Sequence, residues 1–345
     1  GKIPSQTNMS SLGPPKPGIV LAYGTAGFRA RATVLDSTFF RMGMLAVLRS
    51  RSRGGLAVGL MVTASHNAES DNGIKLIDPD GGMLDQSWEA HATALANAAD
   101  DLLTGTFDSL AASIGVTGAG GGKVLVARDT RSHSERLALL ALDGIASVGG
   151  SSEDFKLLTT PQLHHIVRHA NGTAAAGRHV GPAKWASEAG YCEMLADAFG
   201  RFVTAEVASS RGALWVDAAC GVGAPQLATL QRHLGSLLPL TIANAVGDGA
   251  LNEGCGAEYV QKGRKPPRGL EAPPSDQQLR ACSIDGDADR IVFHFWRGDE
   301  WRLLDGDKIA ALFALFVCEE LSTLALQPAL SMAVVQTAYA NGASG

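Results

Sequence analysis

The segment Asp285-Gly-Asp287-Ala-Asp289-Arg290 sets three carboxylates at every second position, at the end of an apolar run that includes Cys282 and Ile284. Alternate residues of an extended segment face the same way, so the three acids can converge on one hard cation, and without one they would repel. An EF-hand loop would need Gly at its sixth position and an acid at its twelfth, where this chain has Arg290 and Trp296. Two other readings stand beside a metal loop. One is a phosphatase whose nucleophile is the first Asp of an Asp-x-Asp pair after a strand, here Asp285. The other is a solvated acidic turn, although Arg290 alone cannot neutralise three acids.

A second group is Thr63-Ala-Ser65-His66-Asn67, which follows the apolar run Leu56 to Val62. A serine at the end of a parallel strand sits where α/β proteins place ligands, and its small neighbours leave the hydroxyl accessible. Ser65 is therefore a candidate nucleophile. A Gly-x-Ser-x-Gly elbow is absent, which disfavours an esterase, and a serine in a polar turn can be purely structural. Two further segments keep it company. Asp71-Asn72-Gly73-Ile74-Lys75 is expected to make a turn into a short strand and to bring Lys75 near Ser65. Tyr23-Gly24-Thr25-Ala26-Gly27-Phe28-Arg29 combines glycines suited to a tight backbone with a cation suited to phosphate.

The elements that must position these groups follow a β/α order. Asp36 is expected to cap a helix whose apolar face runs from Phe39 to Leu48, and Gly54-Gly55 ends it. Leu56 to Val62, Lys123 to Ala127, Phe155 to Leu158, Ala213 to Asp217, Leu240 to Ala245 and Ala281 to Asp285 read as strands. Glu135 to Val148, Pro161 to His169, Tyr191 to Val207, Pro225 to Leu234 and Ile309 to Leu321 read as helices, with a linker from Ala170 to Trp185 and a proline-rich loop from Gly263 to Ser275. A last strand is expected at Met332 to Gln336. The alternation predicts an α/β fold of successive mixed sheets covered by helices.

Other patterns carry less. Gly118 to Lys123 is not a P-loop, because Val124 stands where Ser or Thr would bind magnesium and the segment precedes a strand. His165 and His169 share a helix face but lack a third zinc ligand. Asp129-Thr-Arg131 either lines the cleft or caps the next helix.

In order and content, Gly24-Thr-Ala-Gly-Phe-Arg29, the Ser65 turn and the triple-Asp loop resemble the α-D-phosphohexomutase superfamily. The stretches Phe40 to Arg49, Leu157-Leu-Thr-Thr-Pro-Gln-Leu-His164, Leu304 to Ala310 and Val334 to Gly342 resemble its eukaryotic phosphoacetylglucosamine mutase branch, and the likeness covers residues from about 19 to 345. Two positions depart from it: Ala68 stands where Pro is usual, and Cys220, in Ala219-Cys220-Gly221, stands where Asn is usual.

The aperiodic start, with Pro4, Pro14, Pro15, Pro17 and several Ser, reads as a flexible leader over 1–19, and the resemblance implies a phosphoserine-loop domain over 20–180, a metal-loop domain over 181–298 and the start of a third domain over 299–345. It implies interconversion of N-acetylglucosamine 6-phosphate and N-acetylglucosamine 1-phosphate through a phosphoserine enzyme and a bisphosphate intermediate. Ser65, His66, Lys75 and Arg29 would be catalytic, with Lys75 or His66 as proton shuttle and Arg290 on the substrate. Mg²⁺ would be held by Asp285, Asp287, Asp289 and Ser65. The family chain continues past this end, to a sugar-recognising loop and a phosphate-clamping fourth domain. These 345 residues alone are therefore expected to bind Mg²⁺ without useful turnover, and a non-catalytic sugar-phosphate-binding or interaction protein is the alternative.

Composition limits the partners. With 29 basic against 34 acidic residues the formal charge is −5 and the basic residues are scattered, which excludes an electrostatic footprint for nucleic acid. The longest apolar run, Ile309 to Cys318, is ten residues against the roughly 20 that span a bilayer, so no membrane segment is expected. Five widely spaced cysteines form neither a CxxC nor an even disulfide set, consistent with a cytoplasmic protein, and no obligate protein partner is evident.

Overall fold

A computed structural model of the chain describes residues 13–24, 26–116, 121–176, 181–276, 278–324, 330 and 333–335. The expected leader falls partly outside these residues, as do Thr25, Gly118, Ala119, Gly120 and the two end residues, Met332 and Gln336, of the last expected strand, whose described members Ala333 to Val335 carry no strand.

The first half contains β1 (Phe28–Arg31), α1 (Asp36–Ser52), β2 (Val58–Val62), β3 (Asp71–Ile77), α2 (Glu89–Asn97), α3 (Leu103–Ser113), β4 (Lys123–Arg128), α4 (Ser134–Ser147), β5 (Ser151–Leu157) and α5 (Thr160–Ala176). Its strands form a sheet in the order β1-β3-β2-β4-β5. Strands β2, β4 and β5 are parallel, while β3 returns antiparallel to β2 and pairs antiparallel with β1. All five residues of β2 are buried, which is why its sequence is a continuous apolar run instead of an alternation.

The second half contains α6 (Glu188–Phe202), α7 (Ala205–Ser209), β6 (Leu214–Asp217), α8 (Gly223–Leu234), β7 (Leu240–Ala243), α9 (Ala257–Gly263), β8 (Arg280–Ile284), β9 (Ile291–Arg297), β10 (Glu300–Leu304) and α10 (Gly306–Thr323). These strands form a sheet in the order β10-β9-β8-β6-β7, with β6 parallel to both β7 and β8, and with β9 and β10 antiparallel. Because β10 pairs with β9, the second sheet runs past the expected boundary at 298 as far as Leu304. The two sheets share a device. In each, a loop leaves the C-terminal end of a buried parallel strand (β2 or β8) and returns through an antiparallel neighbour (β3 or β9), and these two loops carry the Ser65 turn and the acidic trio.

Helix α1 is buried along 14 of its 17 residues, packed between the first sheet and α4. Gly43 and Gly144 make that approach possible, since a Cβ on Gly144 would sit 1.8 Å from the Phe40 carbonyl oxygen and one on Gly43 2.1 Å from that of Ala141. Arg41, 1% exposed, spends its charge on the end of α2, donating to the carbonyls of Ala96 (2.8 Å) and Ala98 (2.7 Å) and to Asp100 (2.7 Å).

Several expectations change at the edges of elements. Leu35, without a side-chain bond, occupies the cap of α1, and Asp36 lies in the first turn where it still favours the helix dipole. Asp71 to Lys75 are strand residues of β3, not a turn, because pairing with β1 and β2 overrides the turn preference of Asp-Asn-Gly. The expected linker is helical up to Ala176, with a break at Gly172. The expected helix over 191–207 is split at Val203, and the Thr204 hydroxyl caps α7. Among the described residues no helix is long and apolar enough to cross a membrane.

Candidate active site

The Ser65 turn is held in place by buried polar groups. Ser65 itself is 1% exposed and has φ +53°, a left-handed conformation that needs such support in a residue with a side chain. The Thr63 hydroxyl accepts from Ser65 N–H (2.9 Å) and donates to Asp129 (2.8 Å). Asp129 is ion-paired with Arg131 and also accepts from Ser134 Oγ (2.6 Å). Arg131 in turn donates to the carbonyls of Ser65 (3.2 Å) and Asn67 (2.8 Å). Asn252, from the second half, donates to the same two carbonyls at 3.0 and 3.2 Å. Asp129 and Arg131 thus do neither of the two things expected of them: both are buried and no side chain caps α4, and what they do is hold the Ser65 turn from behind.

The second loop meets this turn closely. A Cβ on Gly286 would lie 2.6 Å from the Ser65 carbonyl oxygen, so only glycine permits the approach. Asp285 and Asp287 are fully buried, and one carboxylate oxygen of each of Asp285, Asp287 and Asp289 lies within 4.8 Å of the others. Ser65 Oγ donates to Asp285 Oδ2 at 2.7 Å. Lys75 Nζ, projecting from β3, reaches Asp287 at 2.9 Å and Asp289 at 3.1 Å, and the Thr160 hydroxyl donates to Asp287 at 2.7 Å. The Leu157 to His164 stretch therefore supplies an unforeseen contact, through Thr160.

Charge in this cluster is divided unequally. Burial and the like charges of Asp287 and Asp289 push Asp285 up to about 8. Burial acts upward on Asp287 too, but the Lys75 ammonium and the Thr160 hydroxyl overcome it and hold that carboxyl below its ordinary value. For Lys75 burial acts downward, and Asp287 and Asp289 outweigh it, so the ammonium stays charged. One oxygen, Asp287 Oδ1, is buried without a hydrogen-bond partner. An all-oxygen set of three carboxylates with an orphaned buried oxygen fits a hard divalent cation of the Mg²⁺ kind.

The remaining expected residues gather around the same point. Arg290 donates from Nε to Asp285 (3.1 Å) and from Nη1 to Glu258 (2.7 Å), with Nη2 3.4 Å from Ser65 Oγ and against His66 Nδ1. A guanidinium only donates, so His66 Nδ1 is the acceptor in that contact, and its Nε2 faces Glu258 at 3.9 Å. Ser65 Oγ is 3.4 Å from His66 Nδ1, longer than its bond to Asp285. Arg29 lies on β1 with Nε buried and unpartnered. It lines a cleft of ≈ 400 Å³ with Lys75, Thr160, His164 and Asp289. His164 donates Nδ1–H to the Gly81 carbonyl at 2.8 Å, which leaves Nε2 as an acceptor. A larger cavity of ≈ 670 Å³, lined by Phe199, Phe202, Val207 and Phe293 among others, lies away from the carboxylates.

Family models match along the chain: phosphoglucomutase/phosphomannomutase, alpha/beta/alpha domain I, over residues 42–103 and 96–180; phosphoacetylglucosamine mutase AMG1, domain II, over 182–292; and domain III of the same family over 305–345. The phosphoacetylglucosamine mutase of Mus musculus is 43% identical over 331 residues, covering 95% of this chain and 58% of its own length. The crystal structure of Aspergillus fumigatus N-acetylphosphoglucosamine mutase in complex with GlcNAc-6P and magnesium superposes with a TM-score of 0.85 at 41% identity, over 95% of this chain and 60% of that one. An apo-form N-acetylglucosamine-phosphate mutase of the α-D-phosphohexomutase superfamily gives 0.82 at 37%, over 96% and 70%. The chain thus spans well under two thirds of the length of its mouse relative.

Proposed function

This chain belongs to the phosphoacetylglucosamine mutase family of the α-D-phosphohexomutases, and from that premise we propose that it interconverts N-acetylglucosamine 6-phosphate and 1-phosphate, with Ser65 as the phosphoryl carrier. The observation that carries the reading is the 2.7 Å bond between Ser65 Oγ and Asp285, which brings the serine turn and the acidic loop into one cluster with Lys75.

In this reading a phosphorylated Ser65 gives its phosphoryl group to the free hydroxyl of the sugar phosphate, the bisphosphate turns in the cleft, and the other phosphoryl group returns to Ser65. Asp285, Asp287, Asp289 and an oxygen of the Ser65 phosphate would hold Mg²⁺, which supplies positive charge against the transferring group. Lys75, held protonated, adds a fixed cation and keeps Asp287 ionised and oriented. Arg290 holds Asp285 and faces the Ser65 oxygen, so its charge acts at the transfer point. Arg29, with an unpartnered Nε beside the cleft, is placed for a substrate phosphate. Of the two proton shuttles considered, a Lys75 fixed as a cation is unsuited, and His66, whose Nδ1 faces Arg290, would work through Nε2.

An aspartate-nucleophile phosphatase is the weaker reading. Asp285 Oδ1 accepts the N–H groups of Asp289 and Arg290 (both 3.1 Å), and Oδ2 accepts from Ser65 and Arg290, so the Asp285 carboxylate faces the Ser65 hydroxyl as its acceptor, a role that suits a serine carrier better than an aspartate nucleophile. We assign residues 20–180 to a phosphoserine-loop domain and 181 through Leu304 to a metal-loop domain, with α10 opening a third. A cytoplasmic site of action belongs to the same proposal, supported by five cysteines that are all free thiols. Incubation with a sugar bisphosphate and Mg²⁺, read as phosphoryl transfer onto the chain, tests the reading, with Ser65→Ala as the control that must stay unphosphorylated; net isomerisation by these 345 residues alone is expected to be slow.

A further inference from the structure

Behind the metal loop two cysteines face each other: Cys220 Sγ and Cys255 Sγ are 3.9 Å apart, and both residues are buried. Their surroundings differ. Arg268 Nη2 donates to Cys220 Sγ at 3.2 Å, and its Nε is anchored on Asn244 Oδ1 at 3.0 Å, so a fixed guanidinium stands against the Cys220 sulfur. Cys255 Sγ instead donates to the Glu253 carbonyl at 3.4 Å, and burial together with nearby Asp217 keeps it protonated. Two sulfurs 3.9 Å apart, one of them held against a guanidinium, have the geometry of a reactive cysteine with a resolving partner.

The segments that carry the sulfurs also support the site. Asn252, three residues before Cys255, donates its N–H to the Ala219 carbonyl (2.9 Å) and its Nδ2 to the Ser65 carbonyl (3.0 Å). Gly221, next to Cys220, touches Gly286 so closely that a Cβ there would lie 2.4 Å from the Gly286 oxygen, and Val222 N–H donates to that oxygen at 3.2 Å. Gly286 lies between Asp285 and Asp287.

We propose that Cys220 and Cys255 are a peroxide-oxidisable dithiol, and that closing it to a disulfide shifts the loop that holds Asp285 and Asp287. Cys220 Sγ gives up its proton and attacks a peroxide oxygen; an S–O bond forms, the O–O bond breaks, and the leaving hydroxide takes up the thiol proton as water. The resulting sulfenic acid is attacked by the Cys255 sulfur, which gives up its proton; the S–S bond forms, the S–O bond breaks, and a second water leaves. The two sulfurs lose two electrons and one hydrogen peroxide is reduced to two waters. A disulfide needs a sulfur separation of about 2.05 Å, so the sulfurs must close by nearly 2 Å. Displacements of about 1 Å in a positioned site can cost roughly 100-fold in rate.

Disulfide formation is independent of the function assigned above, whereas its effect on the metal loop rests on that reading. The test treats the reduced full chain with hydrogen peroxide, alkylates remaining thiols, maps linked peptides by mass spectrometry without reduction, and titrates Mg²⁺ calorimetrically before and after. The expected result is a Cys220–Cys255 linked peptide, Mg²⁺ affinity at least tenfold weaker, recovery with dithiothreitol, and no peroxide effect on affinity in Cys220→Ser. Should Cys220→Ser not fold, Cys255→Ala serves as the variant that cannot close, and its expected result is no linked peptide and no reversible loss. Absence of the linked peptide at excess peroxide overturns the dithiol, and a linked peptide with unchanged Mg²⁺ affinity overturns the coupling. If the reduced chain binds no Mg²⁺, the metal-loop reading fails and the linked peptide alone decides the dithiol.

Discussion

Ser65 and Asp285, 220 residues apart in sequence, share a hydrogen bond of 2.7 Å from Oγ to Oδ2. Each lies just beyond the C-terminal end of a buried parallel strand in its own sheet, and no element between them makes the contact for them. The candidate site exists because two loops of the same design meet tip to tip, with Gly286 allowing the backbone of one to touch the backbone of the other.

Replacing Asp287 by Asn removes one anionic ligand and also the main partner of Lys75. Calorimetric titration is expected to show Mg²⁺ affinity reduced tenfold or more, about 1.4 kcal/mol, with little change in fold. Affinity equal to that of the parent would mean the cation binds elsewhere.

Arg131→Met leaves Asp129, fully buried, without its ion-pair partner and releases the Ser65 and Asn67 carbonyls. Breaking one side of a buried pair costs roughly 3–5 kcal/mol. Denaturant unfolding should register a loss of that size, and a loss under about 1 kcal/mol, within the range of exposed ion pairs, would show that the pair is not the support of the turn.

Two glycine substitutions form a matched test of the α1–α4 contact. In Gly144→Ala the new methyl meets the Phe40 backbone, so a loss of about 1–3 kcal/mol is expected even though alanine is the better helix former. Gly105 in α3 faces open space, so Gly105→Ala should instead gain about 0.5–1 kcal/mol. Thermal melts that move in the same direction for both would contradict the packing.

His294, 1% exposed and flanked by Trp215 and Trp301, has its imidazole pushed down to about 4 by burial. Between the unfolded value of 6.5 and about 4, the unfolded chain takes up a proton that the folded chain refuses, so stability falls as pH falls through that window. The full effect is roughly 3 kcal/mol. His294→Gln, which can keep the bond to Ser283, should lose correspondingly less stability between pH 7 and pH 4; parallel stability curves would refute this assignment.

How much of this was legible in the sequence depended on whether the signal was local. The triple-Asp loop and the Ser65 turn could be read because each lies at the end of an apolar run, and β2 and β4 because burial on both faces leaves an unbroken apolar string, which in β8 is interrupted by the buried Ser283. Strand β9, Ile291 to Arg297, was missed although its residues are apolar and β-prone but for His294 and Arg297, while β10 next to it is mostly half-exposed and mixes Glu300 and Arg302 with its apolar residues. Asp129 and Arg131 could not be placed because what they hold, the Ser65 turn, lies more than 60 residues away. Thr160, Asn252 and Glu258 have the same character: each acts through side-chain contacts to residues distant in sequence and leaves no period behind. Cys220 was visible only as a departure, and its meaning depended on Cys255, 35 residues on.

The account turns on Ser65 as the group that carries phosphate. Peptide mapping by mass spectrometry of the purified chain, after incubation with a sugar bisphosphate and Mg²⁺, tests this directly. The expected result is one phosphoryl group on the peptide containing Ser65, absent in Ser65→Ala and formed more slowly in Asp287→Asn. Phosphate found on Asp285, or a Ser65 peptide that stays unmodified while the sugar phosphate is isomerised, would contradict it.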